Sequence, residues 1–278
     1  MVRYEKRGFV FYGSSDLIHW SQLSRIDGFY ECPDLFELPV VNAPAERRWI
    51  LVDGDGTYVV GKFDGSRFIP ETGKLRAEYG TAFYASQTWK RPGANPVQIA
   101  WLRYPAQSTL TWDGQMSFPV DLTLRRMPDG IRLVRQPVNA IDELRFARQT
   151  WHDVKVNSTG ERIPGLQDSL LLLDVTMQAA GVTEFGLSVH GVDVRYSTKT
   201  HTLNVGSASA PLPLNDGRLH IRLIIDRSSV EVFTDPGTVS ISTITLAPVK
   251  GPVTFFALGG IAHIDLLVAD TLESIWAK

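Results

Sequence analysis

Short apolar or alternating runs recur along the chain, while helical periodicity is scarce. Residues 8–12, 49–53, 57–63, 97–103 and 117–125 each read as a strand, and turn residues such as Asp53-Gly54-Asp55-Gly56 and Asp64-Gly65 separate them. Short strands punctuated in this way predict a sandwich, a barrel or a propeller. The Asp64-Gly65 pair suits a hairpin turn that needs a positive φ, which glycine adopts at little cost. Residues 139–147 predict a short helix. Asn139 offers a cap, Asp142 and Glu143 favour the first turn, and Ile141 and Leu144 supply a partial apolar face.

After that helix the alternation is cleaner. Residues 170–176, 184–190, 193–197, 219–226, 229–234, 239–246, 253–258 and 263–269 predict strands in close succession, the spacing of an antiparallel two-sheet sandwich. Within 229–234, Val230, Val232 and Thr234 point one way and Glu231 and Phe233 the other, and Arg227-Ser228 sits at the preceding turn. The pattern divides the chain into an all-β unit over 1–137, a short helical linker over 138–148 and a β-sandwich over 149–278. A propeller blade takes about 40–45 residues in the best-known repeat class. The first unit therefore holds about three blades, fewer than the four to eight that close a ring.

Composition narrows the function. No apolar run in the 278 residues approaches the ~20 that a membrane helix needs. The basic opening, with Arg3, Lys6 and Arg7, has no apolar h-region, so no signal peptide is expected and the cytoplasm is the default compartment. A net charge of −2 argues against nucleic acid or an anionic membrane as partner. The single cysteine, Cys32, excludes an intrachain disulfide and a cysteine-based zinc cluster. The 7 Trp, 8 Tyr and 13 Phe fit a β-rich protein that contacts a ligand.

Three stretches could carry chemistry. In Tyr30-Glu31-Cys32-Pro33-Asp34, Pro33 fixes its own φ and biases Cys32 towards an extended conformation. The apolar neighbours Phe29, Tyr30, Leu35 and Phe36 would desolvate Glu31 and suit it to general-acid work; a solvated turn carboxylate is the alternative. The stretch 78–89 crowds Tyr79, Phe83, Tyr84 and Trp89 among small residues, a pattern that suits either sugar recognition or an aromatic strand core. Trp101 and Trp112 are candidate platforms, with core packing the preferred reading for Trp112. No phosphate loop, dinucleotide fingerprint or zinc-protease motif occurs, and residues 186–191 lack the second glycine of a nucleophile elbow. The His residues are scattered, so neither a protein-held metal nor a cofactor is expected.

Together these pieces resemble glycoside hydrolase family 32, the invertase, levanase and inulinase group. The match is carried by Ser14-Ser-Asp-Leu-Ile-His-Trp20, Tyr30-Glu-Cys-Pro-Asp34, Phe83-Tyr-Ala-Ser-Gln-Thr-Trp89, Ile99-Ala-Trp101, Trp112-Asp-Gly-Gln-Met-Ser-Phe-Pro119 and Ile225-Asp-Arg-Ser-Ser-Val-Glu-Val-Phe233, in the family's order. The resemblance implies an all-β fold: about three blades of a five-bladed β-propeller followed by an antiparallel β-sandwich. It implies hydrolysis of terminal β-fructosyl bonds in sucrose, levan or inulin with retention, which needs two carboxyl groups about 5 Å apart. By the same resemblance Glu31 is the acid/base, Cys32 lies beside it, and Tyr84 and Trp101 line the fructose pocket. The family's Asn-Asp-Pro-Asn-Gly nucleophile motif and its Arg-Asp-Pro motif are absent, and Ala82 stands where family members often carry an acidic residue. Asp34 belongs to the same turn as Glu31 and is not expected to replace the nucleophile. The expected partners are a fructose-containing saccharide and either a second copy or another chain covering the open propeller edge.

Overall fold

In the computed structural model, residues 1–104, 112, 114–167, 170–245 and 251–276 are described. The end of the 239–246 strand, Leu246, and the motif residue Asp113 lie outside them. Nearly all of the regular secondary structure among the described residues is β, in four sheets.

The first sheet is three-stranded. Val2–Glu5, Gly8–Gly13 and Ser21–Asp27 pair antiparallel in chain order. Two further antiparallel meanders follow. One runs Asp34–Val40, Ala43–Val52, Thr57–Phe63 and Phe68–Pro70. The other runs Phe83–Trp89, Val97–Leu102, Val120–Met127 and Gly130–Pro137. They join through one parallel contact, Leu124 to Val40, into a single curled sheet. Three meanders around a shared centre make a partial propeller of about three blades. The hairpin at Asp64-Gly65 turns as expected: Gly65 has φ +95°, and Asp64 Oδ1 accepts the N–H groups of Ser66 and Arg67 at 2.8 and 2.7 Å.

The remaining two sheets face each other as an antiparallel sandwich. One is ordered Arg145–Val156, Ile261–Leu272, Leu171–Ala180, Arg218–Ile225, Ser229–Thr234, Ser240–Ile244. The other is ordered Glu161–Arg162, Thr254–Leu258, Glu184–Val189, Val192–Ser197, Thr202–Val205, Ala208–Pro211. Alternate side chains of each sheet fill the space between them, among them Val175, Ile221, Leu223, Phe185, Leu187 and Tyr196. Truncating a core residue such as Leu187 to alanine costs about 2–5 kcal/mol.

The alternation read in 229–234 has a tertiary meaning. Val230 and Val232 enter the sandwich core, whereas Phe233 joins a second apolar cluster with Val120, Leu122, Leu124 and Ile141. Propeller and sandwich therefore share a core. The helix expected over 139–147 is a shorter 3-10 turn, Asn139–Leu144, and the sandwich's first strand already begins at Arg145. That strand carries little apolar alternation because it lies at a sheet edge with most side chains exposed. Ladder pairing with Ile261–Leu272 holds it instead. Ser21–Asp27 escaped the pattern for the same reason.

Candidate active site

The turn Tyr30-Glu31-Cys32-Pro33 carries the chain from the first sheet into the second. It is anchored from the Asp53-Gly54 turn. Tyr30 N–H donates to Asp53 Oδ2 at 3.3 Å, and Tyr30 O accepts Gly54 N–H at 3.2 Å. The carbonyl of Gly54 in turn accepts the N–H of Ala85 at 2.7 Å. One residue, Gly54, thus ties the Glu31 turn to the Phe83–Trp89 strand. A Cβ on Gly54 would stand 3.4 Å from the Tyr84 ring and 3.5 Å from Cys32 Cβ, so the groups are already in van der Waals range.

Glu31, Cys32 and Ala85 have φ of 50°, 43° and 51°. This left-handed region is uncommon for residues with a Cβ, and such strain, of order 1–3 kcal/mol each, clusters at functional sites. The extended backbone expected at Cys32 ahead of Pro33 is therefore not found. The hydrogen bonds on both sides of the turn outweigh that local preference.

Tyr84 donates its hydroxyl to Glu31 Oε2. Burial, followed by this bond and the charge of Glu31, pushes the phenol well above the ordinary tyrosine range. Tyr84 and Trp101 are cross-strand partners, with rings edge to face at 6.5 Å. Trp101 is 39% exposed. The Arg103 guanidinium lies 4.2 Å from the Tyr84 ring centroid. Burial, together with the nearby charges of Glu31 and Asp53, raises the pKa of the Cys32 thiol, which keeps it protonated. The structure thus brings Glu31, Cys32, Tyr84 and Trp101 to one place. It presents a carboxyl group with a hydroxyl donor, two aromatic rings and a guanidinium, a set able to move one proton and to pack against a sugar face.

Two other carboxylates near this turn, Asp34 and Asp53, are engaged elsewhere. Asp34 accepts Thr88 N–H and Oγ1–H at 2.7 and 2.6 Å, which joins the second meander to the third. Its burial raises its pKa, and these two bonds partly offset the rise. Asp53 is almost fully buried and pairs with Lys74 Nζ at 2.9 Å. Ala82 is buried beside Phe83. Trp112, for which core packing was preferred, is instead 48% exposed, with its indole N–H donating to Tyr104 Oη at 3.2 Å. Two contributors were missed from the sequence. Arg103 lies two residues after Trp101, the spacing that puts both on one face. Asp53 was hidden in a motif that read only as a turn.

The sequence matches the model of the glycosyl hydrolases family 32 N-terminal domain over residues 2–137 and that of the family 32 C terminal over residues 140–271. It is similar to a levanase of Bacillus subtilis, 27% identical over 96% of this chain and 47% of that protein. It is also similar to an invertase of Wickerhamomyces anomalus, 26% identical over 82% of this chain and 48% of that protein. Among solved structures, the exo-inulinase of Aspergillus awamori superposes with a TM-score of 0.84 at 20% identity, covering 97% of this chain and 63% of that one. Fructan 1-exohydrolase IIa of Cichorium intybus superposes with a TM-score of 0.80 at 19% identity, covering 98% and 68%. The chain spans about half the length of the levanase and invertase it matches.

Proposed function

The chain belongs to glycosyl hydrolase family 32, and we propose that it carries the acid/base side of a β-fructosidase site. The substrate is a terminal β-fructosyl bond of sucrose, levan or inulin, a class supported by relatives named levanase, invertase and exo-inulinase. Glu31 protonates the leaving oxygen and then takes the proton of the water that attacks the fructosyl-enzyme. Cys32, Tyr84 and Trp101 line the fructose pocket. The observation that carries this reading is the Tyr84 hydroxyl on Glu31, with Trp101 and Arg103 beside the same ring.

A retaining reaction needs a second carboxyl group about 5 Å from the first. Asp34 and Asp53 are engaged by Thr88 and Lys74, and the family resemblance puts the nucleophile in an Asn-Asp-Pro-Asn-Gly motif on a blade that this sequence does not carry. The test is to mix the chain with a polypeptide carrying the two remaining blades and to measure fructose release from sucrose, levan and inulin. Release that disappears in Glu31→Gln is expected. A stable complex that releases no fructose from any of the three sinks the reading.

A second reading is favoured by the absence of the nucleophile motif beside an assembled aromatic pocket: a fructan-binding protein that does not cut. Calorimetry of the chain alone with fructo-oligosaccharides decides it. Heat that is lost in Trp101→Ala is expected, and no heat at all overturns it.

Either reading involves a partner surface. Among the described residues Val2–Glu5 pairs only with Gly8–Gly13, at the edge of a three-stranded sheet, and Leu17 and Ile18 in the turn between that sheet's other two strands are exposed. Such an edge invites another strand. A second copy or a partner chain covers it; a strictly monomeric mass by light scattering at micromolar concentration counts against the second copy.

A further inference from the structure

The short segment Gln115–Met116 and the two residues after it form the wall behind Trp101. Trp101 pairs with Met116 across the sheet. Next to it, Ser117 N–H donates to Ala100 O at 2.8 Å, and Ser117 Oγ accepts Ala100 N–H at 3.0 Å. Gly114 lies so close that a Cβ there would stand 2.1 Å from the indole nitrogen of Trp101. Displacing this segment therefore displaces the ring.

On its other side Phe118 packs against the shared apolar cluster, but Met116 is exposed and packing holds the segment only in part. A cavity of about 560 Å³ lies there, bordered by Met116, Phe118, Ile224, Ser229 and Glu231. Hydrogen bonds from the sandwich hold the segment beside this cavity. Ser228 Oγ donates to Gln115 Oε1 at 2.6 Å, and Gln115 Nε2 donates to Ser229 Oγ at 2.8 Å. Phe118 N–H donates to Glu231 Oε1 at 2.8 Å. Glu231 is only 4% exposed, and its second oxygen accepts Ser242 Oγ–H at 3.2 Å. Burying a carboxylate is expensive, and its strand neighbours Val230 and Val232 already supply the apolar contacts of this strand with the sandwich core. The position of Glu231 makes sense as an acceptor aimed at the propeller.

We propose that Ser228, Ser229 and Glu231 are positioning residues through which the sandwich sets the place of Trp101, so that the aromatic edge of the sugar pocket is built by both parts of the chain. Its importance for sugar binding rests on the reading of Trp101 as a sugar contact; the positional coupling does not.

The test separates the two. The chain is labelled with fluorotryptophan, and the Trp101 fluorine resonance is assigned by its absence in Trp101→Phe. No ligand is added. Glu231→Gln keeps an acceptor oxygen but not the charge; Ser228→Ala with Ser229→Ala removes the sandwich's two bonds to Gln115 and leaves the one from Tyr104 Oη at 2.6 Å. Both are expected to shift or broaden the Trp101 resonance, while Trp20, Trp49 and Trp151, remote from the segment, stay in place. If the Trp101 resonance coincides with wild type in both variants, the proposal fails. Should Glu231→Gln not fold, the serine pair carries the test alone. Calorimetry with a fructo-oligosaccharide then reads the pocket. Weaker binding in the same variants extends the coupling to the ligand. Absence of heat in wild type overturns the sugar reading of Trp101 and leaves the fluorine result standing.

Discussion

The hydroxyl of Tyr84 donates to Oε2 of Glu31 across 53 residues of sequence. The two meet because Gly54 bonds to the Glu31 turn with its N–H and to the Tyr84 strand with its carbonyl. The phenol is pushed up by burial and by the carboxylate it faces. Glu31→Gln removes the charge and should bring the titration of one tyrosine down towards the ordinary range. Ultraviolet difference titration of wild type and variant measures it, and an unchanged tyrosine profile would count against the contact.

Thr88 supplies both donors that bond the half-buried Asp34, its N–H and its hydroxyl. Thr88→Val keeps the volume and removes the hydroxyl. Leaving a buried carboxylate short of a partner costs about 1–3 kcal/mol. The variant should lose that stability in urea, with the loss growing at higher pH, where Asp34 is ionised. A loss that is independent of pH would assign the effect to packing.

Arg135 and Glu78 form a buried pair at 2.5 Å, 3% and 0% exposed, and Ser240 and Ser242 of the sandwich bond to the same glutamate. Removing one partner leaves a charge buried alone, which costs about 3–5 kcal/mol. Arg135→Met should therefore destabilise the chain by that order, and Arg135→Met with Glu78→Gln should recover part of it. A double-mutant cycle from denaturant unfolding measures the coupling; additive losses would mean that the pair is not coupled.

Glu231 is pushed up to about 7, first by burial, then by the charge of Glu78, against the pull of Phe118 N–H, Ser242 and Arg135. Asp226, Arg227 and Glu273 line the same cavity. A carboxyl group whose folded pKa lies above its unfolded value binds its proton more tightly when folded. Its contribution is full below the unfolded value of 4.5 and is lost as pH rises through about 7. The linkage is worth about 3 kcal/mol at full extent. Wild type should lose stability across that window relative to Glu231→Gln. Parallel profiles of the two proteins in thermal unfolding would refute the raised value.

Much of the architecture was legible along the chain because strands with one buried face alternate with period two. The strands around Phe185, Val194, Leu223 and Val232 were visible in this way, as was the positive-φ turn at Gly65. Alternation failed where burial is weak, at Ser21–Asp27 and Arg145–Val156, whose place is set by ladder pairing. The motif around Glu31 and the aromatic content of Tyr84 and Trp101 were also visible, and with them the family. What alternation states is which side chains share a face; it does not state what that face meets. Only the tertiary structure decided that Trp112 is half-exposed with its indole on Tyr104 and that Cys32 takes a left-handed backbone against its local preference. It also decided that Glu231 faces the propeller rather than water, and that Gly54 holds Glu31 against Tyr84. These outcomes depend on contacts between residues distant in the chain. The free energy of such contacts exceeds the local preferences that a sequence displays.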